Sequence, residues 1–103
     1  MQENIPPNES HEQLLIKLLR EKGPANPEAR AALIDWTEQQ EAAVLRAGTA
    51  VAQVHFERER ARLYFAAGFI EEANTAYEHA LTQAWGLHES DLYEEIKKEK
   101  EEK

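Results

Sequence analysis

The chain of 103 residues contains no cysteine. A disulfide framework, a thiolate metal site and a cysteine nucleophile are therefore excluded. Only four glycines occur, and each stands alone, so a glycine-rich loop that cradles phosphate cannot form. Apolar runs long enough for a signal peptide or a transmembrane span are also missing. We therefore expect a cytoplasmic protein.

Basic residues are outnumbered: 12 Lys and Arg stand against 20 Asp and Glu, which gives a net charge of −8. Nucleic acids and anionic membrane surfaces both reward positive charge on a partner. We therefore expect neither a nucleic acid nor a membrane partner. Hydrophobic residues make up 42% and charged residues 31% of the chain, which is typical of a globular domain, and the length allows one core.

Motifs for catalysis and metal binding are scarce as well. No two of the four histidines have a spacing that places them on one helical face as a metal pair. The only serines, Ser10 and Ser90, occupy capping positions outside known nucleophile motifs. Neighbouring carboxylates such as Glu71 and Glu72 point about 100° apart on a helix, which is poor geometry for acid–base chemistry. We predict a protein that is not an enzyme and that needs no cofactor or metal.

What the sequence does contain is helical periodicity, and we predict an all-α bundle of four to five helices. The Pro-containing residues 1–9 are predicted to be a flexible leader. Residues 10–96 are predicted to form a single helical domain. The segment 97–103, KKEKEEK, is predicted to be a charged helix end that is solvated and frays.

The first half of the domain contains clear helix boundaries. Ser10 and Gln13 form a capping-box pattern before a helix from His11 to about Lys22. A second helix begins at Asn26-Pro27, since these residues are favoured at the N-cap and first positions. Its end is ambiguous, because one apolar register continues through Gly48. We favour one long helix, bent at Gly48, over two helices joined by a tight turn.

The most regular stretch is residues 61–81, on both sides of Gly68. Apolar residues recur there three, four or seven positions apart, which gathers them on one side of each helix. Gly68 suits the left-handed residue that closes a helix, so we predict an antiparallel hairpin. The second hairpin helix is predicted to end at Gly86, and Asp91 to cap a last helix. The apolar anchors of that last helix are Leu92, Tyr93 and Ile96.

Several hairpin residues follow one consensus, namely Tyr64, Gly68, Ala73, Tyr77 and Ala80, and Ala61 replaces its small glycine. The hairpin thereby resembles a single tetratricopeptide repeat, a unit of protein-binding helical arrays. Glu57, Arg60 and Trp85 stand where this consensus has Trp, Leu and Pro. The resemblance covers roughly a third of the chain, and no second repeat is visible one period of about 34 residues upstream.

The resemblance implies a non-catalytic interaction module: an adaptor, a chaperone or a regulatory subunit that holds a protein segment in a groove. His55, Arg58, Arg62 and Phe65 are spaced three, four and three apart, and they would line that groove. The two arginines would suit an acidic segment or a chain terminus. The alternative is that both pair within the chain, with Glu59 or with acidic residues across the hairpin.

A second candidate surface is apolar, because four large aromatic residues do not fit one narrow stripe: Trp36, Phe56, Phe69 and Trp85. Exposed aromatics of this size mark interfaces. One repeat cannot bury its own apolar face, so either the first two helices or a second copy must complete the core. We expect a homodimer. A self-associating structural bundle without peptide binding is the alternative function.

Overall fold

Almost all of the residues that the structure describes are helical. The computed structural model describes residues 11–103, which contain no strand. The helices are α1 (His11–Lys22), α2 (Pro27–Ala47), α3 (Ala50–Ala67), α4 (Ile70–Gly86) and α5 (Ser90–Glu102). The all-α prediction with five helices is confirmed. The predicted leader and the capping Ser10 lie outside the described residues.

The junction between α1 and α2 follows the local rules that the sequence indicates. Gly23 ends α1 in the left-handed conformation, with φ +83°, and its amide bonds back to an α1 carbonyl. The side-chain oxygen of Asn26 accepts hydrogen bonds from the amides of Glu28 and Ala29, at 3.0 and 3.1 Å. The predicted bounds of α1 and the predicted start of α2 are therefore confirmed.

At Gly48 the prediction of one long helix is wrong. Gly48 has φ 68°, and its amide donates to the Val44 carbonyl at 3.1 Å, which closes α2. The Thr49 hydroxyl then accepts from the Ala52 amide at 3.2 Å and opens α3. The apolar register is compatible with both arrangements. The C-terminal glycine and the N-capping threonine act together, and their combined effect favours the turn.

The junction between α4 and α5 also differs from the prediction. Gly86 is still helical, and the left-handed residue is His88, with φ 60°. The amides of His88 and Glu89 bond back to the last turn of α4, as in a Schellman motif. Helix α5 begins at Ser90 and has no side-chain cap, so the cap predicted at Asp91 is absent.

Helices α1, α3 and α5 lie side by side and run in the same direction, because residue numbers rise together along their contacts. The neighbouring pairs are Glu12 with Glu59, Arg20 with Ala66, Arg58 with Glu95, and Arg62 with Glu99. Short connections return α2 and α4 antiparallel to them. The fold is thus a row of hairpins, with α3 in the middle.

The core consists of two clusters on opposite sides of α3. One joins α1, α2 and α3, and it is built on Leu19, Trp36 and Leu63. The other joins α3, α4 and α5, and it contains Tyr77 and Ile96. Each large apolar side chain that is fully buried contributes about 1.5–3 kcal/mol. Helix α3 therefore connects the two halves through packing on both of its faces.

Most of the predicted apolar surface is inside the molecule. Trp36 and Phe56 are buried with ring centroids 6.2 Å apart, and the half-buried Phe69 packs on the same cluster. Only Trp85 is exposed, at 71%. The first two helices complete this part of the core, so these three aromatic residues need no second copy to cover them. The homodimer itself stays a prediction.

Candidate protein-interaction surfaces

The residues predicted to line a peptide groove are divided between two places. Arg58, Arg62 and Phe65 lie together against α5, where the Lys103 ammonium is 4.9 Å from the centre of the Phe65 ring. His55 is exposed and lines a cavity between α2 and α3, together with Phe56. Three of the four residues therefore lie on one face of α3, as their spacing predicts, but α5 of the same chain covers that face.

A single carboxylate occupies the space between the two arginines. Glu99 accepts hydrogen bonds from Arg58 Nε at 3.0 Å and from Arg62 Nε and Nη2 at 2.9 and 2.7 Å. Arg58 Nη2 also forms an ion pair with it at 2.9 Å. The Tyr77 hydroxyl donates to it at 2.5 Å. We call these four residues the Glu99 cluster. It holds α3, α4 and α5 together through charge-assisted hydrogen bonds.

The electrostatics of the Glu99 cluster follow from this geometry. Burial raises the pKa of Glu99, but the hydrogen bonds from Arg62, Tyr77 and Arg58 outweigh burial and lower the pKa to about 2. Burial raises the pKa of Tyr77, and the hydrogen bond to Glu99 raises it further. The hydrogen bond to Glu99 also raises the pKa of Arg62. The cluster thus keeps its carboxylate ionised and its phenol neutral.

Both arginines have further partners inside the chain. Arg62 pairs with Glu59 at 2.9 Å, and Arg58 pairs with Glu95 at 3.5 Å. The alternative of pairing within the chain therefore describes their contacts, although their main partner lies on α5 rather than across the hairpin. The expectation that residues 97–103 are a solvated end does not hold at Glu99. The spacing of Leu92, Ile96 and Glu99 places Glu99 on the packed side of α5. This spacing is the sequence feature that could have indicated the packing of Glu99.

An open apolar groove lies between α1 and α2. Its cavity has a volume of about 210 Å³, and the residues that line it include Leu14 and Leu18 of α1 and Ala32 and Trp36 of α2. Leu15 and Leu19 of α1 are buried in the core, whereas Leu14 remains 42% exposed at the rim. The leucine stripe of α1 is therefore wider than the part of it that is buried in the core. Asp35 and Gln39 add a polar edge.

A second exposed apolar feature lies where α4 meets α5, and we call it the Trp85 surface. The indole of Trp85 packs on Tyr93, with centroids 5.4 Å apart and planes tilted by 58°. A shallow cavity of about 320 Å³ adjoins the pair on the side of Leu81 and Thr82. A smaller cavity of about 150 Å³ adjoins it on the side of the α4–α5 turn. Trp85 therefore stands as a ridge between two hollows.

A polar groove lies between α3 and α4. Glu57 is buried there, and its Oε1 accepts no hydrogen bond. The nearest basic nitrogen atoms are Arg60 Nη1 at 3.6 Å and His79 Nδ1 at 4.0 Å. Arg60 and His79 also line an adjoining cavity of about 270 Å³. Glu71 and Glu72 line the same cavity, so the carboxylates of this groove outnumber its arginine.

Other kinds of site and other proteins offer no further assignment. Across residues 11–103, no three His, Asp or Glu side chains come close enough together to hold a metal ion. Over the same range, no helix combines the length and the apolar character that crossing a membrane requires. Comparison with known protein families, characterised proteins and solved structures finds no match to this chain. The functional argument therefore depends on the geometry of the surfaces above.

Proposed function

We propose that this chain is a non-catalytic cytoplasmic protein-interaction module, acting as an adaptor, a chaperone or a regulatory subunit. It binds an apolar helical segment of another protein in the groove between α1 and α2. The observation behind this proposal is the groove itself, which the exposed Leu14, the half-buried Leu18 and the edge of the buried Trp36 line between two packed helices. Helix-in-groove recognition uses such a surface, with apolar anchors one turn apart.

The arrangement of the helices supports an interaction module. Parallel α1, α3 and α5, with α2 and α4 returning antiparallel, form a row of hairpins, of which the tetratricopeptide resemblance covers only the α3–α4 pair. Such arrays contact their partners through surfaces built from successive helices. A rigid pair of helices also limits the entropy that is lost when a partner binds.

The prediction that Arg58 and Arg62 recognise an acidic segment of a partner has to be revised. Both guanidinium groups already bind Glu99, which accepts four hydrogen bonds from Arg58, Arg62 and Tyr77. An acidic partner would have to displace Glu99 and detach the end of α5. The α1–α2 groove requires no such rearrangement, and for this reason we prefer it as the binding site.

The test is a pair of matched substitutions on exposed leucines. Leu14→Glu places a charge at the rim of the groove, whereas Leu45→Glu places one on an 81% exposed position of α2 that lies outside the residues lining the groove. Partners are identified by crosslinking in cells of the source organism, and each is then purified for direct binding measurements. We expect Leu14→Glu to weaken binding at least tenfold and Leu45→Glu to leave it unchanged. Equal binding by both variants would refute the groove.

Self-association is the alternative function, and the high exposure of Leu45 favours it. In that case the purified chain is a homodimer in light scattering, and Leu45→Glu converts it to a monomer. If the wild-type chain is a homodimer that Leu45→Glu dissociates, and if no other protein binds the chain, self-association replaces the interaction module as its function. A monomer that binds a partner through Leu14 supports the interaction module.

A further inference from the structure

Glu57 is a charged side chain that the fold buries without completing its hydrogen bonds. The side chain is only 8% exposed, and its Oε2 accepts a hydrogen bond from Gln53 Nε2 at 3.4 Å. Its Oε1 accepts no hydrogen bond from the described residues. A buried carboxylate oxygen that accepts no hydrogen bond is costly, because it has lost the donors that water supplies. A donor from outside the chain would remove that cost.

The Oε1 atom of Glu57 lies beside the cavity of about 270 Å³ in the polar groove between α3 and α4. Two residues that line this cavity approach it, Arg60 with Nη1 at 3.6 Å and His79 with Nδ1 at 4.0 Å. Both distances are too long for a hydrogen bond. The His79 side chain is 60% exposed, and exposed side chains change rotamer within nanoseconds. Rotation of the His79 ring therefore opens Oε1 toward the cavity.

The charges around this cavity are mainly negative. Glu71 and Glu72 line it from the first turn of α4, and neither side chain forms an ion pair or a hydrogen bond with the described residues. Together with Glu57 they supply three carboxylates, against the guanidinium of Arg60 and the imidazole of His79. Even a protonated His79 leaves one negative charge in excess. The groove therefore attracts cations and repels anions.

We propose that the polar groove binds the ammonium group of a lysine side chain of another protein. The ammonium donates a hydrogen bond to Oε1 of Glu57, and Glu71 and Glu72 supply further negative charge. An ammonium is a compact point charge that one free oxygen can accept from, whereas the forked guanidinium of arginine pairs best with both oxygens of a carboxylate. Gln53 already occupies Oε2. This goes beyond the α1–α2 groove and uses the proposed function only in treating the chain as a binding module.

The same geometry argues against other occupants. A metal ion needs several ligands that converge, and in the described part of the chain no three His, Asp or Glu side chains come close enough together. An anion would be repelled by the carboxylates. An apolar side chain would leave Oε1 of Glu57 without a donor. One buried acceptor with negative charge around it fits an ammonium group best.

The test titrates the isotope-labelled full chain with capped peptides and follows its amide shifts by NMR, which detects weak binding. The peptides have the sequence Ala-Ala-X-Ala-Ala, where X is lysine, arginine, acetyl-lysine or norleucine. We expect the lysine peptide to shift the amides near Glu57 and His79. It should bind about tenfold more tightly than the uncharged acetyl-lysine peptide, and more tightly than the arginine peptide. Glu57→Gln should weaken its binding by about tenfold.

Matched variants separate this inference from the proposed function. Glu38→Gln, at an exposed glutamate of α2, should leave binding of the lysine peptide unchanged, as should Leu14→Glu in the α1–α2 groove. If circular dichroism shows that Glu57→Gln does not fold, the double variant Glu71→Gln/Glu72→Gln replaces it, because both residues are exposed. That double variant should weaken binding as well.

Equal binding of the lysine and arginine peptides, shifts spread evenly over the acidic surface, or equal binding to wild type and Glu57→Gln would each overturn the inference. Butylamine carries the same ammonium group without a peptide, and tighter binding of butylamine at the same amides would overturn the assignment to another protein. A homodimer in light scattering that Glu57→Gln dissociates would assign the groove to a lysine of a second copy, and would overturn it too.

Discussion

Replacing Glu99 with Gln tests whether the Glu99 cluster fixes α5 to the rest of the fold. The amide keeps the shape of the side chain but removes its charge, and it turns an NH2 group toward donors of Arg58, Arg62 or Tyr77. The pKa of Glu99 is lowered from 4.5 to about 2, a difference equivalent to about 3 kcal/mol. Solvent screening at the open side reduces this to about 1–2 kcal/mol. For a domain of this size, the melting temperature should fall by about 5–10 °C.

The pH dependence gives the charge contribution a distinct signature. Because the folded-state pKa of Glu99 is depressed, its stabilisation is fully present above about pH 4.5 and is lost as the pH falls toward about 2. Urea unfolding of wild type and Glu99→Gln, followed by circular dichroism, should therefore show a difference that narrows by roughly half between pH 5 and pH 3. A difference that is independent of pH would mean that Glu99 acts by packing alone.

Glu101→Gln is the matched control, since Glu101 is an exposed glutamate on the same helix. Its removal should change the free energy of unfolding by less than about 0.5 kcal/mol. If Glu99→Gln is no more destabilising than Glu101→Gln at neutral pH, the reasoning from the hydrogen bonds of the cluster is refuted. The two arginines would then again be available to a partner.

Three further predictions concern the packing and the helix ends. Trp36→Ala removes a buried ring that packs on another aromatic residue, and should cost about 3–5 kcal/mol in urea unfolding; a loss below about 1 kcal/mol would contradict its place in the core. Asn26→Ala removes the cap of α2 and should cost about 1 kcal/mol, which Asn26→Ser should largely restore. Gly68→Ala should destabilise by about 1–2 kcal/mol, because φ is 94° there. Gly86→Ala, inside α4 with open space at its Cβ position, should be neutral or stabilising by about 0.5 kcal/mol, and the same sign at both glycines would disprove this argument.

Features that depend on a few neighbouring residues were predictable from the sequence. The hairpin turn at Gly68 and the capping of α2 by Asn26 each need only local backbone geometry and one side chain. Gly48 shows the limit of this reasoning. An apolar register tells which side of a helix is buried, but it does not tell whether the helix is interrupted. Gly86 lies two residues before the point where the chain turns, and His88 takes the left-handed conformation instead.

The candidate site was only partly predictable. Helical spacing correctly grouped Arg58, Arg62 and Phe65, because a helix fixes the direction of its own side chains. It did not indicate what faces them, since Glu99 is 41 residues from Arg58 along the chain. Likewise, the count of large aromatics suggested an exposed surface, but it did not show that Trp36 packs on Phe56 in the same molecule.

The sequence by itself determined the all-α class, several of the helix ends and the acidic character of the chain, because these depend on local propensity and composition. The tertiary structure alone decided which surfaces remain open. Parallel packing of α5 against α3 places Glu99 between two arginines and closes the predicted groove. In the same fold, Leu14 of α1 and Trp85 of α4 remain exposed. Burial and exposure are properties of long-range contacts, and for that reason the interaction surfaces became visible only in the folded chain.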